Sequence, residues 1–132
     1  MEIEVRFSLG KEYYSRVMPL SDKNCVPCQG GVPALTAGQV SEIKTEVPFW
    51  SVIENHHVER TFRFPDFVTA LAFVNRIGAL AEEQGHHPDI VLAWGKVAVT
   101  IWTHAVNGLT ESDFVLASKI DRLHEAPVPA TA

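Results

Sequence analysis

The stretch EEQGHHPDIVLAWGKVAVTIWTHAVNGLTESD, residues 82–113, decides the fold. Residues 91–94 and 97–103 within it are rich in Val, Ile and aromatic side chains, which is typical of β-strands. Gly95 and Lys96 lie between the two runs and predict a two-residue hairpin turn, in which glycine supplies the positive φ that such a turn needs. The stretch therefore predicts an antiparallel hairpin with one almost wholly apolar face.

The predicted turn also sets which residues face each other across the hairpin. It pairs Trp94 with Val97, and the same register continued towards the strand ends places His87 across from His104. Pro88 cannot donate a ladder hydrogen bond, so this last pairing is a hypothesis. If it holds, imidazoles that are distant in the sequence become neighbours.

Periodicity and capping motifs predict three helices and a second strand pair around this hairpin. Thr36 and Gln39 form a capping-box pattern, and the apolar residues of the second helix recur at helical spacing up to Gly85, a suitable C-cap. The predicted helices cover about residues 37–46, 67–83 and 110–124, and the strands of the second pair cover residues 50–54 and 58–64. The order of these elements predicts an α+β domain, a four-stranded antiparallel sheet with three helices packed on one face.

Length and charge limit the class of protein. A chain of 132 residues is expected to form one domain. The net charge of −5, without a Lys/Arg cluster, argues against nucleic acid as the main partner. The first residues lack the apolar core of a secretory signal, and no run reaches the roughly 20 apolar residues that span a bilayer. We therefore expect a cytoplasmic protein with no membrane partner.

The domain is expected to cover residues 20–124, between an N-terminal extension, residues 1–19, and a Pro/Ala-rich C-terminal tail, residues 125–132. In the extension, apolar residues alternate with polar ones in a strand-like pattern: Ile3, Val5, Phe7 and Leu9. The pattern is consistent with three structures: an added edge strand, an interface arm or a loosely held terminus. It does not distinguish between them.

Two short motifs outside the hairpin suggest chemistry, but a structural role is favoured for both. Cys25 and Cys28 have the spacing of a redox pair or of half a zinc site. No second cysteine pair completes a zinc site, and no thioredoxin-like strand leads into the motif. We interpret His56 and His57 as part of a solvated turn, because no carboxylate, third histidine or Gly-rich element accompanies them.

The other histidine pair, His86 and His87, and the later His104 are candidates for acid–base chemistry, because imidazole ordinarily titrates near neutral pH. A hydrolytic metal site is the competing interpretation. Adjacent residues of an extended chain point to opposite faces, which makes joint coordination by His86 and His87 awkward. We therefore expect no metal at this site.

Seven residues, in this order and spacing, resemble the signature of the pterin-4a-carbinolamine dehydratases: Glu82, His86, His87, Pro88, Trp94, His104 and Asp113. The flanking segments 61–64 and 108–110 fit the same pattern, and the likeness runs from about Leu20 to Leu123. Several separated motifs in the right order are far more specific than one short pattern. Most of the chain thus resembles this family.

The resemblance implies a hydro-lyase, without a cofactor, that acts in tetrahydrobiopterin recycling. It would remove water from a 4a-hydroxytetrahydropterin to give the quinonoid dihydropterin. A general acid would protonate the 4a-oxygen and a base would take the proton of ring nitrogen N5, and each such transfer typically contributes about 10²- to 10⁴-fold. Two or three imidazoles around one flat ring can divide these roles.

By resemblance, His86, His87 and His104 are the catalytic and substrate-binding histidines. We expect His86 and His104 to transfer protons and His87 to hold the pterin. Glu82 precedes His86 by four residues, one helical turn, and could orient that imidazole. Asp113 matches the closing acid of the family's signature, but its position in the first turn of the last helix also suits a cap alone.

The residues expected to contact the pterin flank the histidines: Gly85, Pro88, Trp102, Thr103 and Ala105. The two tryptophans of the hairpin are assigned different roles. In the predicted register Trp94 lies on the face opposite His87 and His104, which favours core or interface packing. Trp102 shares their face and is the better candidate for shaping the pocket.

The resemblance also implies partners. It implies a homo-oligomer, a dimer or a tetramer, and an aromatic amino acid hydroxylase as one source of the substrate. The alternative function is a non-enzymatic dimerisation or co-regulatory module, because animal relatives double as dimerisation cofactors for a homeodomain transcription factor.

Overall fold

The computed structural model describes residues 18–26 and 33–126. Within them the helices are α1 (Ala37–Ile43), α2 (Phe67–Gln84) and α3 (Glu111–Glu125), and the strands are β1 (Ser51–Ile53), β2 (His57–Arg63), β3 (Asp89–Ala93) and β4 (Lys96–Ile101). Short 3₁₀ turns cover Leu20–Asp22, Lys44–Glu46 and His104–Val106. None of these helices has the length and apolar character needed to cross a bilayer. The strand-like pattern predicted at residues 3–9, Cys28 and residues 127–132 of the tail lie outside the described ranges.

The four strands form one antiparallel sheet in the order β1-β2-β4-β3. Alternate residues on one face of the sheet are buried under the helices: Val58, Phe62, Val97, Val99 and Ile101. The helices contribute equally buried apolar residues, among them Phe73, Ile77, Phe114 and Ile120. Removal of this apolar surface from water is the main force that drives folding. The predicted α+β architecture, with three helices on one face of a four-stranded sheet, is confirmed.

The register of the β3-β4 hairpin differs from the prediction by two residues. Ala93 pairs with Lys96. The turn is therefore Trp94-Gly95, and the predicted pairing of Trp94 with Val97 is wrong. A shift by two residues keeps the same side chains on each face, because side chains alternate with a period of two. The predicted apolar face is thus confirmed although its pairs are not.

The neighbouring strand β2 explains where the turn lies. The Phe64 N–H donates to the Gly95 carbonyl (2.9 Å), and a Cβ atom at Gly95 would lie 2.8 Å from the Phe64 carbonyl oxygen. Gly95 also has φ +67, in the left-handed region that favours glycine. Lys96 is drawn out of the predicted turn into the sheet, where it pairs with Arg63. The hairpin sequence alone contains no information about this neighbour.

The pairing predicted between His87 and His104 does not form. The strand β3 begins at Asp89 and β4 ends at Ile101, and the outermost pair between them is Asp89 with Thr100. Both histidines lie beyond the ladder, one in the loop before β3 and the other in the 3₁₀ turn after β4. They therefore reach the same end of the sheet from two separate loops.

The tryptophan of the core is Trp50. It is 1% exposed, and its indole N–H donates to the Asp121 carboxylate (2.8 Å), which also accepts from Arg60 (2.6 Å). Burial raises the pKa of the Asp121 carboxyl above its ordinary value, although the hydrogen bonds from Trp50 and Arg60 act in the opposite direction.

Trp94 lies at the hairpin tip and is 72% exposed. Its predicted core packing is therefore wrong, and interface packing stays a prediction.

Cys25 lies between the end of α2 and the start of α3. Its N–H donates to the side-chain oxygen of Gln84 (2.8 Å), and its thiol donates to the Ser112 carbonyl (3.5 Å). Burial raises the pKa of the Cys25 thiol to about 11. A thiol with so high a pKa is a weak nucleophile at neutral pH, which favours the structural role over a redox role.

Replacement of Trp50 by alanine is expected to destabilise the fold by about 3–5 kcal/mol, because loss of a large buried side chain leaves a cavity. Trp94→Ala is the matched control, and removal of this ring, which is exposed in the single chain, should change the free energy of unfolding of the monomer, measured at low protein concentration, by no more than about 0.5 kcal/mol. Urea unfolding followed by circular dichroism measures both values. Equal losses in the two variants would contradict the assignment of Trp50 to the core.

Cys25 is expected to react slowly with iodoacetamide in a Cys28→Ser variant, because only the thiolate is nucleophilic. Its pKa of about 11 means that the alkylation rate should keep rising as the pH is raised towards that value. The same variant unfolded in urea is the control, and its rate should level off above an ordinary thiol pKa of about 8.5. A folded protein whose rate levels off at that lower pH would show that the thiol is not buried as described.

Candidate active site

Two loops at one end of the sheet border an open cavity of about 490 Å³. One loop links α2 to β3, and the other follows β4. The cavity is lined by Gly85, His86, His87, Pro88, Asp89, Trp102, Thr103, His104 and Ala105. The structure thus brings together the three predicted histidines and all the residues predicted to contact the pterin, and it adds Asp89. A volume of this size is typical of small-molecule sites.

The end of α2 decides which histidine bonds to Glu82. Gly85 has φ +64 and caps the helix in the left-handed conformation. The chain leaves the helix before His86, so the spacing of one helical turn between Glu82 and His86 no longer applies. An oxygen of Glu82 lies 2.6 Å from Nε2 of His87 instead, and both side chains are exposed, at 79% and 60% respectively. The prediction that Glu82 orients His86 is wrong.

His86 bonds to Asp113, which is fully buried in the first turn of α3. Nε2 of His86 lies 2.7 Å from Oδ1 of Asp113. Oδ2 accepts hydrogen bonds from the Thr103 hydroxyl and from the Thr110 N–H, each at 2.8 Å. Asp113 therefore caps the helix and also holds a histidine of the cavity. Like Glu82, it does not line the cavity itself.

These hydrogen bonds determine which atoms around Asp113 carry a hydrogen. An ionised carboxylate is only an acceptor, so Nε2 of His86 carries a hydrogen and Nδ1 is left free to accept one. The Thr103 hydroxyl donates to Asp113, so the Thr110 hydroxyl, 2.9 Å away, donates to Thr103. The Thr103 N–H donates to the Gly108 carbonyl (2.8 Å). Thr103 lines the cavity, but its hydroxyl and its N–H already donate hydrogen bonds within the fold.

His104 begins the 3₁₀ turn after β4, and its ring stacks on Trp102. The two ring centroids are 3.9 Å apart, and the ring planes are inclined by 19°. An indole face has negative electrostatic potential and attracts a cation placed over it. Trp102 therefore lines the cavity and can also stabilise a positive charge on His104 during proton transfer.

His57 is the first residue of β2, so only His56 lies in the predicted turn, and His56 is half-buried rather than fully solvated. Its ring packs on Trp102 with 4.3 Å between the centroids, and its Nε2 lies 3.0 Å from Oδ1 of Asn107. The strand β2 pairs with β4, so the start of β2 lies beside the end of β4, where Trp102 follows. The strand order is the signal that could have found this contact.

The arrangement suits proton transfer to and from a flat ligand. Nε2 of His86 and Nε2 of His87 each face a carboxylate, while His104 is supported by an aromatic face. In residues 18–26 and 33–126, no group of three or more His, Cys, Asp and Glu side chains could hold a metal ion. Two oriented imidazoles and one stacked imidazole thus border a single cavity.

Comparisons with known proteins extend these observations. A family model described as pterin 4 alpha carbinolamine dehydratase matches residues 33–123. A protein of Rubrobacter xylanophilus, provisionally named pterin-4-alpha-carbinolamine dehydratase, is 54% identical over 104 residues, which cover 79% of this chain and 97% of that protein. The residues matched by the family model include the whole candidate site.

Two solved structures are also similar. A transcriptional coactivator/pterin dehydratase from Brucella melitensis is 33% identical, with a TM-score of 0.65 over 68% of this chain and 97% of that chain. A pterin dehydratase-like protein identified as a RuBisCO assembly factor in the alpha-carboxysome is 24% identical, with a TM-score of 0.51 over 59% of this chain and 92% of that chain, and shares the fold alone. The chain therefore belongs to the pterin 4 alpha carbinolamine dehydratase family.

Proposed function

We propose that this protein dehydrates a 4a-hydroxytetrahydropterin, such as 4a-hydroxytetrahydrobiopterin, to the quinonoid dihydropterin and water. The observation that carries the proposal is the cavity bordered by three imidazoles, two of which are bonded to carboxylates. Imidazoles suit this reaction because they exchange protons near neutral pH. The substrate class comes from the family to which the chain belongs.

The reaction needs one proton donor and one proton acceptor. Hydroxide is a poor leaving group, so a general acid protonates the 4a-oxygen while the C4a–O bond breaks and water departs. A general base removes the N5 proton, and the electron pair of the N5–H bond forms the N5–C4a double bond. The acid has then lost a proton and the base has gained one. Solvent that enters the open cavity restores both groups.

We assign the base to His86 and the acid to His104. The Asp113 carboxylate keeps a hydrogen on Nε2 of His86, which leaves Nδ1 to accept the N5 proton. The same carboxylate stabilises the imidazolium ion that forms. The face of Trp102 stabilises protonated His104 until it gives its proton to the 4a-oxygen.

His87 is assigned to substrate binding. It lines the cavity, and its bond to Glu82 fixes the orientation of the ring. Pro88 has a fixed φ and so restricts the chain that carries the ring. The pterin edges present donors and acceptors, which we pair with His87 and with the backbone of Gly85 and Ala105.

The proposal includes assembly of several copies, as a dimer or a tetramer. The described chain exposes large apolar side chains that a subunit contact could bury: Phe49, Val68, Val91 and Trp94. An aromatic amino acid hydroxylase is one proposed source of the carbinolamine substrate.

A non-enzymatic dimerisation or co-regulatory module is the second candidate function. The relative from Brucella melitensis is described as both a transcriptional coactivator and a pterin dehydratase. The same exposed apolar side chains would serve such a binding role. The two candidates differ in whether the cavity histidines are needed, so turnover and assembly must be measured separately.

His86→Ala and His104→Ala are each expected to lower kcat by about 10²- to 10⁴-fold, because each removes one proton-transfer group. Stopped-flow absorbance of freshly generated 4a-hydroxytetrahydropterin measures turnover above the spontaneous rate. Size-exclusion chromatography measures assembly, which should be unchanged in His104→Ala because that ring borders an open cavity. His86→Ala also removes a donor from the buried Asp113 carboxylate, so circular dichroism must show that this variant is folded before its kcat is compared. A wild-type protein that does not accelerate dehydration, but still assembles, would overturn the enzyme and favour the co-regulatory module.

Asp113→Asn is expected to lower kcat by about 10²- to 10⁴-fold, as loss of an orienting carboxylate does in comparable Asp–His pairs. An asparagine amide can donate to Nε2 of His86, which moves the ring hydrogen to Nδ1 and removes the base. Glu82→Gln is the matched control at the exposed histidine, and its effect should appear mainly in KM. Glu83→Gln, on the same helix but outside the cavity, should change neither parameter. A larger kcat loss in Glu82→Gln than in Asp113→Asn would reverse the assignment of base and binding residue.

A further inference from the structure

We infer that His56 is a positioning residue of this site. From the turn between β1 and β2, it fixes Trp102 and the loop that carries His104, and so holds the His104 imidazole in its place at the cavity. The inference concerns the arrangement of the loop, and its effect on turnover rests on the proposed function. His56 does not line the cavity.

The backbone holds His56 firmly in its turn. Its N–H donates to the Ile53 carbonyl (2.9 Å) and closes the turn between the strands. The two preceding residues, Glu54 and Asn55, both have φ +54, in the left-handed region that non-glycine residues seldom adopt. The Asn55 side chain donates to the Leu35 carbonyl (3.4 Å), which anchors the turn to the chain before α1. A turn held in this way can serve as a fixed support for the ring.

Each part of the His56 ring has a partner. Its face packs on Trp102, with 4.3 Å between centroids and 42° between planes. Its Nε2 lies 3.0 Å from Oδ1 of Asn107, and its Nδ1 lies 3.0 Å from Nδ1 of His57. The Asn107 oxygen is an acceptor, so Nε2 of His56 carries the hydrogen. Nδ1 of His56 then accepts from Nδ1 of His57.

The two residues that His56 contacts lie on either side of His104 in the sequence. Trp102 precedes His104 and Asn107 follows it. Asn107 has φ +52, and its N–H donates to the His104 carbonyl (3.1 Å), so the bond from His56 reaches the residue that closes the 3₁₀ turn. The Trp102 ring packs against both the His56 ring and the His104 ring. One imidazole outside the cavity therefore restrains both ends of the segment that presents another inside it.

His56→Ala is expected to lower kcat by about tenfold or more with little change in KM, because a small displacement of a proton-transfer group is costly. His56→Phe keeps a ring on Trp102 but loses the bond to Asn107, so it should recover part of the loss. His57→Ala is the matched control, since it leaves the contacts of His56 with Trp102 and Asn107 in place and should have a small effect. In a His104→Ala background, His56→Ala should cause no further loss, because its effect passes through His104.

A second measurement does not depend on turnover. Fluorine NMR of protein labelled with fluorotryptophan should give separate signals for Trp50, Trp94 and Trp102, with the last identified by a Trp102→Phe variant. His56→Ala should shift or broaden the Trp102 signal and leave the other two unchanged, and those two signals also report whether the variant is folded. His56→Phe serves as the test substitution if the alanine variant does not fold.

The outcomes separate this inference from the proposed function. An unshifted Trp102 signal with wild-type kcat, or kcat losses that multiply in the double variant, would overturn the role of His56. A wild-type protein without dehydration activity would overturn the proposed function instead. The Trp102 signal would then still decide whether His56 fixes the loop.

Discussion

The buried carboxylate of Asp113 is the constraint on which both the fold and the site depend. A charge removed from water is very unfavourable unless donors surround it. Here the donors come from three parts of the chain: the start of α3, the residue Thr103 after β4, and His86 in the loop between α2 and β3. Satisfying one carboxylate therefore joins the last helix, the central hairpin and the long helix at one end of the sheet. The cavity lies at this junction because the same bonds position its lining.

The three cavity imidazoles differ in what supports them, and the proposed function assigns them different roles on this basis. His86 faces a buried acid, His87 faces an exposed acid, and His104 lies on an indole face. A carboxylate fixes which nitrogen carries the hydrogen, whereas an aromatic face favours positive charge without fixing a tautomer. Three residues of one type can thus take different parts in one reaction. The supports come from elements of secondary structure or from loops tied to them, which gives the site its rigidity.

Much of this could be predicted from the sequence, and the errors have physical causes. Periodicity located the helices and strands, and the alternation of side chains gave the correct faces of the hairpin even though its register was wrong by two residues. The register depended on the contact of Gly95 with Phe64, and the packing of His56 depended on the pairing of β2 with β4. Both are contacts between distant segments. The partner of Glu82 depended on the left-handed cap at Gly85, which ended the helical spacing one residue before His86.

The double use of Asp113 affects what its presence in a related sequence means. Its carboxylate caps α3 and anchors Thr103, so folding alone is sufficient reason for evolution to retain it. Glu82 and His87 are exposed and contribute little to stability, so a lineage that abandons catalysis can lose them freely. An intact acid at position 113 is therefore a poor marker of a functioning enzyme in this family. On the proposed function, the exposed pair at positions 82 and 87 is the more informative one when genomes are searched for members that have taken up another task.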